Sequence, residues 1–140
     1  MLFAEAEIDP ANKELSTMIS TPEALSAAFE ASINSGDLDA VLDLFTQDTA
    51  MRTPDGALVS GAALRGYTAG TVAGRAELSN EPPLVLPVGD LALIVEDWTL
   101  KVTVPTGERI TAAGTTANIA GRGADGGWRY LLLNPGGTAH

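Results

Sequence analysis

Apolar residues first recur along the chain at helical spacing. Leu25, Phe29 and Ile33 come every four residues with Ala28 beside them, which predicts one buried stripe on a helix ending at Asn34-Ser35-Gly36. Its start has two readings: Ser20 and Glu23 stand at capping-box spacing, and Thr21-Pro22 offers a start one residue later. Asp37 caps a second helix, in which Leu38, Val41, Leu42 and Phe45 fall at i, i+3, i+4 and i+7 while Asp39 and Asp43 face water. The two helices make a hairpin around Gly36. Thr49 to Thr53 reads as a short strand closed by the turn Pro54-Asp55-Gly56. Ser60 then opens a third helix carrying Leu64 and Tyr67. Ala62, Gly66, Gly70 and Gly74 line one side of it, a face small enough to lie close to another backbone.

After Asn80 the period changes from helical to alternating. Leu84 to Val88, Leu91 to Val104, Arg109 to Ala120 and Trp128 to Asn134 are rich in β-branched, leucine and aromatic residues. Gly89-Asp90, Thr106-Gly107 and Gly121 to Gly127 separate them, which predicts an antiparallel meander. Helices first and strands afterwards make an α+β domain with helices on one face of the sheet. The long strand from Leu91 is apolar on both faces, with Trp98, Leu100 and Val102 on one side and Leu93, Val95 and Thr99 on the other. One face meets the helices. The other needs a cover, and a second copy of the chain is the simplest, so a homodimer through the outer sheet face is expected. The organisation is therefore an arm or short helix in residues 1–20, one domain over 21–136 and a tail over 137–140.

Composition narrows the partners. The chain has 140 residues, near the commonest single-domain size, and is 45% hydrophobic and 19% charged, as a folded domain is. Eighteen acidic residues against eight basic give a net charge of −10, which repels polyphosphate and anionic lipid alike. Neither nucleic acid nor a membrane is an expected partner. Residues 1–20 lack the apolar run of an export leader, and no stretch reaches the ~18 apolar residues of a membrane span, so a cytoplasmic setting is expected. Cysteine is absent and the one histidine, His140, ends a Gly136-Gly137 tail, so neither thiol chemistry nor a metal site is expected. Gly121-Arg122-Gly123 lies between strands with no helix after it and reads as a loop, not a dinucleotide fingerprint. No cofactor is expected.

The order helix, helix, short strand, helix, long strands resembles the nuclear transport factor 2-like superfamily, which includes ketosteroid isomerases and SnoaL-like polyketide cyclases. The resemblance rests on Asn34-Ser35-Gly36-Asp37-Leu38-Asp39 and Leu44-Phe45-Thr46-Gln47-Asp48. It rests also on Gly89-Asp90-Leu91-Ala92-Leu93, Asp97-Trp98 and Asp125-Gly126-Gly127-Trp128-Arg129, which are similar to motifs of the SgcJ-like branch. It runs from about Thr21 to Gly136. It implies a cone-shaped, cystatin-like fold with three N-terminal helices packed on a curved antiparallel sheet. Ketosteroid isomerases use a carboxylate base, a tyrosine and a protonated aspartic acid. The resemblance places Thr53 at the base, Phe29 at the tyrosine and Thr115 at the second acid, none of which supplies that chemistry. The related branch often carries an aspartate where this chain has Leu133.

Strand alternation and the resemblance together imply an apolar pocket for a small apolar or amphipathic ligand. Its expected lining is Phe29, Met51, Thr53, Leu64, Tyr67 and Trp98, continued by Leu100, Thr115, Tyr130, Leu132 and Asn134. Glu96 and Asp97 are adjacent on a strand and so point to opposite faces. One of them can face the pocket. Asp97 there would be a general acid or base with a raised pKa, and outside it a solvated carboxylate. Three functions follow: a ligand-binding protein without ketosteroid-isomerase chemistry, a SnoaL-like cyclase or isomerase of a polyketide-like or cyclic carbonyl compound using Asp97, Tyr67 or a water, and a protein-association module.

Overall fold

The computed structural model describes residues 18–139, so the arm or short helix expected before residue 18, and His140, lie outside the described residues. The first element, α1 (Pro22–Ser35), starts at the later of its two candidate caps. Thr21 is extended, its Oγ1 accepts from the Ala24 amide at 3.0 Å, and Pro22 occupies the first turn where no amide proton is needed. Gly36 ends the helix in the left-handed region at φ 74°, which a side chain would resist. Asp37 caps α2 (Leu38–Leu42) by accepting from the Ala40 amide at 3.1 Å.

Here the sequence pattern overreaches. The second helix stops at Leu42 rather than running to Phe45, because the Leu44 amide turns back to Val41 and the Leu44 carbonyl is taken at 2.9 Å by the Tyr130 amide. Phe45 therefore begins β1 (Phe45–Arg52), longer than the expected Thr49–Thr53 and parallel to the last strand. After the turn come β2 (Leu58–Ser60) and α3 (Gly61–Ala73), followed by β3 (Glu77–Asn80), β4 (Leu84–Val88), β5 (Leu91–Thr103), β6 (Arg109–Arg122) and β7 (Trp128–Leu133). The expected close-packed glycine face of α3 is only partly so. Gly66 and Gly70 face open space, and only Gly74 lies tight against another backbone, at Thr103.

The strands form one seven-stranded sheet in the order β2-β1-β7-β6-β5-β3, with β4 also on β5. The strands after Asn80 pair antiparallel in sequence, as expected of the meander, but the sheet as a whole is mixed and not antiparallel throughout, since β1 runs parallel to β7. Leu25 of α1 packs with Ala92 and Ile94 of β5, Ala120 of β6 and Tyr130 and Leu133 of β7, which defines the inner face. Ile33 and Val41 gather a second cluster with Ala76, against which Leu100, Val102 and Val72 pack, while Phe29 and Phe45 touch both clusters. Fully burying Leu25 or Ile94 contributes about 1.5–3 kcal/mol each. At the C-terminal end of α1, Asn34 pins the helix to β3 by accepting from the Leu78 amide at 2.6 Å and donating to its carbonyl at 2.8 Å.

The outer face is different. Leu86 pairs with Leu93, Leu93 with Ile119 and Ile119 with Leu132, so one apolar row crosses β4, β5, β6 and β7. Leu84, Leu86, Val88, Leu91, Leu93, Ile119 and Leu131 are all exposed. No helix among the described residues is long and apolar enough to cross a membrane.

Candidate functional site

Between the two apolar clusters the inner face carries a band of polar side chains. The β5–β6 register sets Glu96 opposite Thr116 and Ile94 opposite Asn118, so strand alternation turns all four toward the helices. Glu96, Thr116 and Asn118 keep only 6%, 4% and 6% of their surface exposed, and Ser26 of α1, which closes over them, 3%. Buried polar groups are costly unless paired. Ser26 Oγ lies 2.7 and 2.6 Å from the two carboxyl oxygens of Glu96. Asn118 Oδ1 accepts from the Asn134 amide at 2.7 Å and from Thr116 Oγ1 at 2.5 Å. Asn134 Nδ2 donates to the Gly137 carbonyl at 3.0 Å, but its Oδ1 is buried with no hydrogen-bond partner.

Aromatic rings wall this band. Tyr130, 1% exposed, meets Phe29 edge-on with centroids 5.6 Å apart and Phe45 at 6.4 Å. Trp98 follows Glu96 on the same face, donates from Nε1 to the Pro135 carbonyl at 2.9 Å, and lies so close over Gly114 that a Cβ there would stand 3.0 Å from the indole. Burial pushes the Glu96 carboxyl up from its ordinary range; the Ser26 hydrogen bond opposes this and the Glu30 charge adds to it. Burial likewise pushes the Tyr130 phenol up, and the charge of Glu96 adds to the effect. The ion pairs among the described residues, Arg109–Glu77, Arg122–Asp90 and Arg129–Asp125, are on exposed side chains away from Glu96.

The structure brings together part of the expected pocket lining. Phe29, Met51 and Tyr130 pack on the first cluster, Leu100 on the second, and Trp98 and Asn134 flank the band. Leu64 is buried under α3. The remainder lie elsewhere. Thr53 turns its hydroxyl into the β1–β2 turn, onto Asp55 and the Ala57 carbonyl. Tyr67 is 39% exposed, and burial, with Asp55 second, raises its phenol. Leu132 stands beside Ile119 on the outer face because a bulge after Tyr130 inserts one residue into β7.

Asp97 faces outward, exposed, accepting from Thr115 Oγ1 at 2.6 Å, so the carboxyl that reaches the inner face is Glu96. Sequence reasoning missed Ser26, Thr116 and Asn118, and of the two adjacent carboxyls it put Asp97, not Glu96, forward for the site. For Glu96 the signal was present: it shares parity with Trp98, Leu100 and Val102, the face assigned to the helices. Among the described residues no three His, Asp or Glu side chains are grouped to hold a metal. A separate surface groove of about 250 Å³ lies on the outer side, lined by Leu91, Leu131, Arg122 and Arg129 among others, with Arg122 paired to Asp90 and stacked 5.5 Å from the Trp128 ring.

A SnoaL-like domain profile matches residues 25–128, nearly the whole span that carries both clusters and the band. The chain belongs to the SnoaL-like domain family. No curated protein matches the sequence. Among solved structures, this SnoaL-like chain is similar to a nuclear transport factor 2-like superfamily protein from Salmonella enterica serovar Typhimurium, with a TM-score of 0.72 at 19% identity over 84% of this chain and 89% of that one. A calcium/calmodulin-dependent protein kinase type II association domain, so described, from Thiobacillus denitrificans aligns at 26% identity and TM-score 0.66 over 84% and 97%. A protein named as a ketosteroid isomerase from Shewanella frigidimarina aligns at 13% and 0.65 over 79% and 90%. The fold is thus the nuclear transport factor 2-like α+β fold. Of the three residues that the sequence resemblance led us to expect at the ketosteroid-isomerase triad, Phe29 lines the inner face, whereas Thr53 and Thr115 point into a turn and to the outer face.

Proposed function

We propose that this SnoaL-like chain binds a small, largely apolar molecule on the inner face of its sheet, between the Phe29–Tyr130 aromatic pair and the Ser26–Glu96–Asn118 band. The observation that carries the reading is the band itself. A domain that only needed a core would fill this position with leucine or valine; here four polar side chains are buried and Asn134 Oδ1 is left without a partner. A ligand acceptor atom would meet the hydroxyl and carboxyl groups of the band, a ligand donor would meet Asn134 Oδ1, and apolar walls would supply most of the affinity. Nitrogen-15 amide shifts recorded while titrating methyl β-naphthyl ketone into the protein test this. Changes should centre on Ser26, Glu96, Thr116 and Asn118; an absence of shifts, or shifts confined to β4 and the outer row, would overturn it.

Chemistry of the isomerase or dehydratase type would, in this arrangement, fall to Glu96, the carboxyl among these inward-facing groups, and not to Asp97. The exposed outer row favours a second association as well. Two copies meeting through Leu86, Leu93 and Ile119 would bury the apolar row that the monomer leaves in water. Such a homodimer also accommodates the association-module reading, since the outer face is independent of the inner site.

A further inference from the structure

Glu96 is short of partners in a way that specifies its ligand. An ionised carboxylate offers about four lone-pair sites, yet the group facing both of its oxygens is the Ser26 hydroxyl, whose single proton serves one of them at a time. Among the described residues, the elements packed around it supply no cation. From α1 it faces Ser26 and Glu30, from β7 Tyr130 and from β6 Thr116, while Asn80 of β3 donates its amide to Glu30 at 3.3 Å. Arg52, the half-buried cation of β1, is committed to the carbonyls of Gly137 and Ala139 at 3.1 and 2.9 Å.

We propose that Glu96 enters the complex as the uncharged carboxylic acid, accepting from Ser26 on one oxygen and donating from the other to an acceptor atom of the ligand. The site then takes neutral molecules with a carbonyl, ether or hydroxyl oxygen, and refuses carboxylates and phosphates. An anion there would be buried against Glu96 and Glu30 with no positive partner, a desolvation cost that apolar contacts of a small molecule do not recover. This rests on the inner-face reading above.

The test compares methyl β-naphthyl ketone with β-naphthoate, nearly equal in size and opposite in charge, by isothermal titration calorimetry across the range from about pH 5 to about pH 9. The ketone should bind and naphthoate should bind at least tenfold more weakly. Ketone affinity should fall by up to about tenfold per pH unit above the point where free Glu96 ionises. In Glu96→Gln, whose amide donates at every pH, ketone affinity should be independent of pH. Ser26→Ala, which removes the hydrogen bond that favours the ionised form, should move the fall to higher pH. Ketone binding that is flat with pH in the wild type, or naphthoate binding as tightly, overturns the proposal and leaves the inner-face site standing. No ketone binding at any pH overturns both.

Discussion

Replacing Glu96 by glutamine should make the protein more stable at neutral pH, a result opposite to that expected for most buried charged positions. Burial holds the folded-state pKa of Glu96 above its ordinary value of 4.5, which stands for the unfolded chain. Between those two values the folded state keeps a proton that the unfolded state has released. Stability therefore falls as pH rises through that window, by up to about 1.4 kcal/mol per pH unit, and levels off above the folded pKa. Glutamine has the same shape and accepts from Ser26 without titrating, so the variant lacks this slope. The other titrating groups are common to both proteins and cancel in the difference, apart from the coupling of Glu30 to Glu96, which the variant loses. For a chain of this size, each pH unit within the window should open a gap in Tm of roughly 3–6 °C in favour of the variant. Urea unfolding followed by the fluorescence of Trp98 and Trp128, from about pH 4 to about pH 8, measures the gap directly. Parallel stability curves would show that Glu96 is hydrated and ordinary in the folded state. A gap of the opposite sign, with glutamine losing stability as pH rises, would show that the ionised form is the one the fold stabilises.

Leu93→Glu sets a charge at the centre of the Leu86–Leu93–Ile119–Leu132 row and should convert a homodimer to monomer in sedimentation at micromolar concentration; an unchanged mass would place any dimer contact elsewhere. Gly114→Ala brings a Cβ to 3.0 Å from the Trp98 ring and 3.3 Å from the Pro135 carbonyl, and should cost about 1–3 kcal/mol by urea unfolding with a shift in tryptophan emission. Asp97→Asn, on the outer face with Thr115, should change stability by no more than about 0.5 kcal/mol and leave ketone binding intact. Loss of that binding would return Asp97 to the site.

The elements that sequence pattern could read are those whose local and tertiary demands agree. The Leu25-Phe29-Ile33 stripe, the Thr21-Pro22 start and the Gly36 stop all point to the same helix, and the structure has it. Phe45 is where they part. Its spacing from Leu38 continues a helix, yet a strand residue at that position also turns its ring inward, and the Tyr130 amide, 85 residues further along, decides by claiming the Leu44 carbonyl. Nothing local to Phe45 announces that bond. The site was obscured for a related reason. Glu96 and Asp97, like Thr116 and Thr115, are neighbours of one chemical type, and composition cannot say which of each pair turns inward. Parity with Trp98 and Leu100 can, because both aromatic and aliphatic side chains on an inner face must reach the helices. Applied to β5, that rule selects Glu96; carried across the register to β6, it selects Thr116 and Asn118, and the same three residues emerge as buried. Four polar groups gathered by two independent strands and a helix, with Asn134 Oδ1 still unpartnered, are poor packing material. Their placement makes physical sense if a molecule outside the chain meets them and supplies the donor that Asn134 Oδ1 lacks.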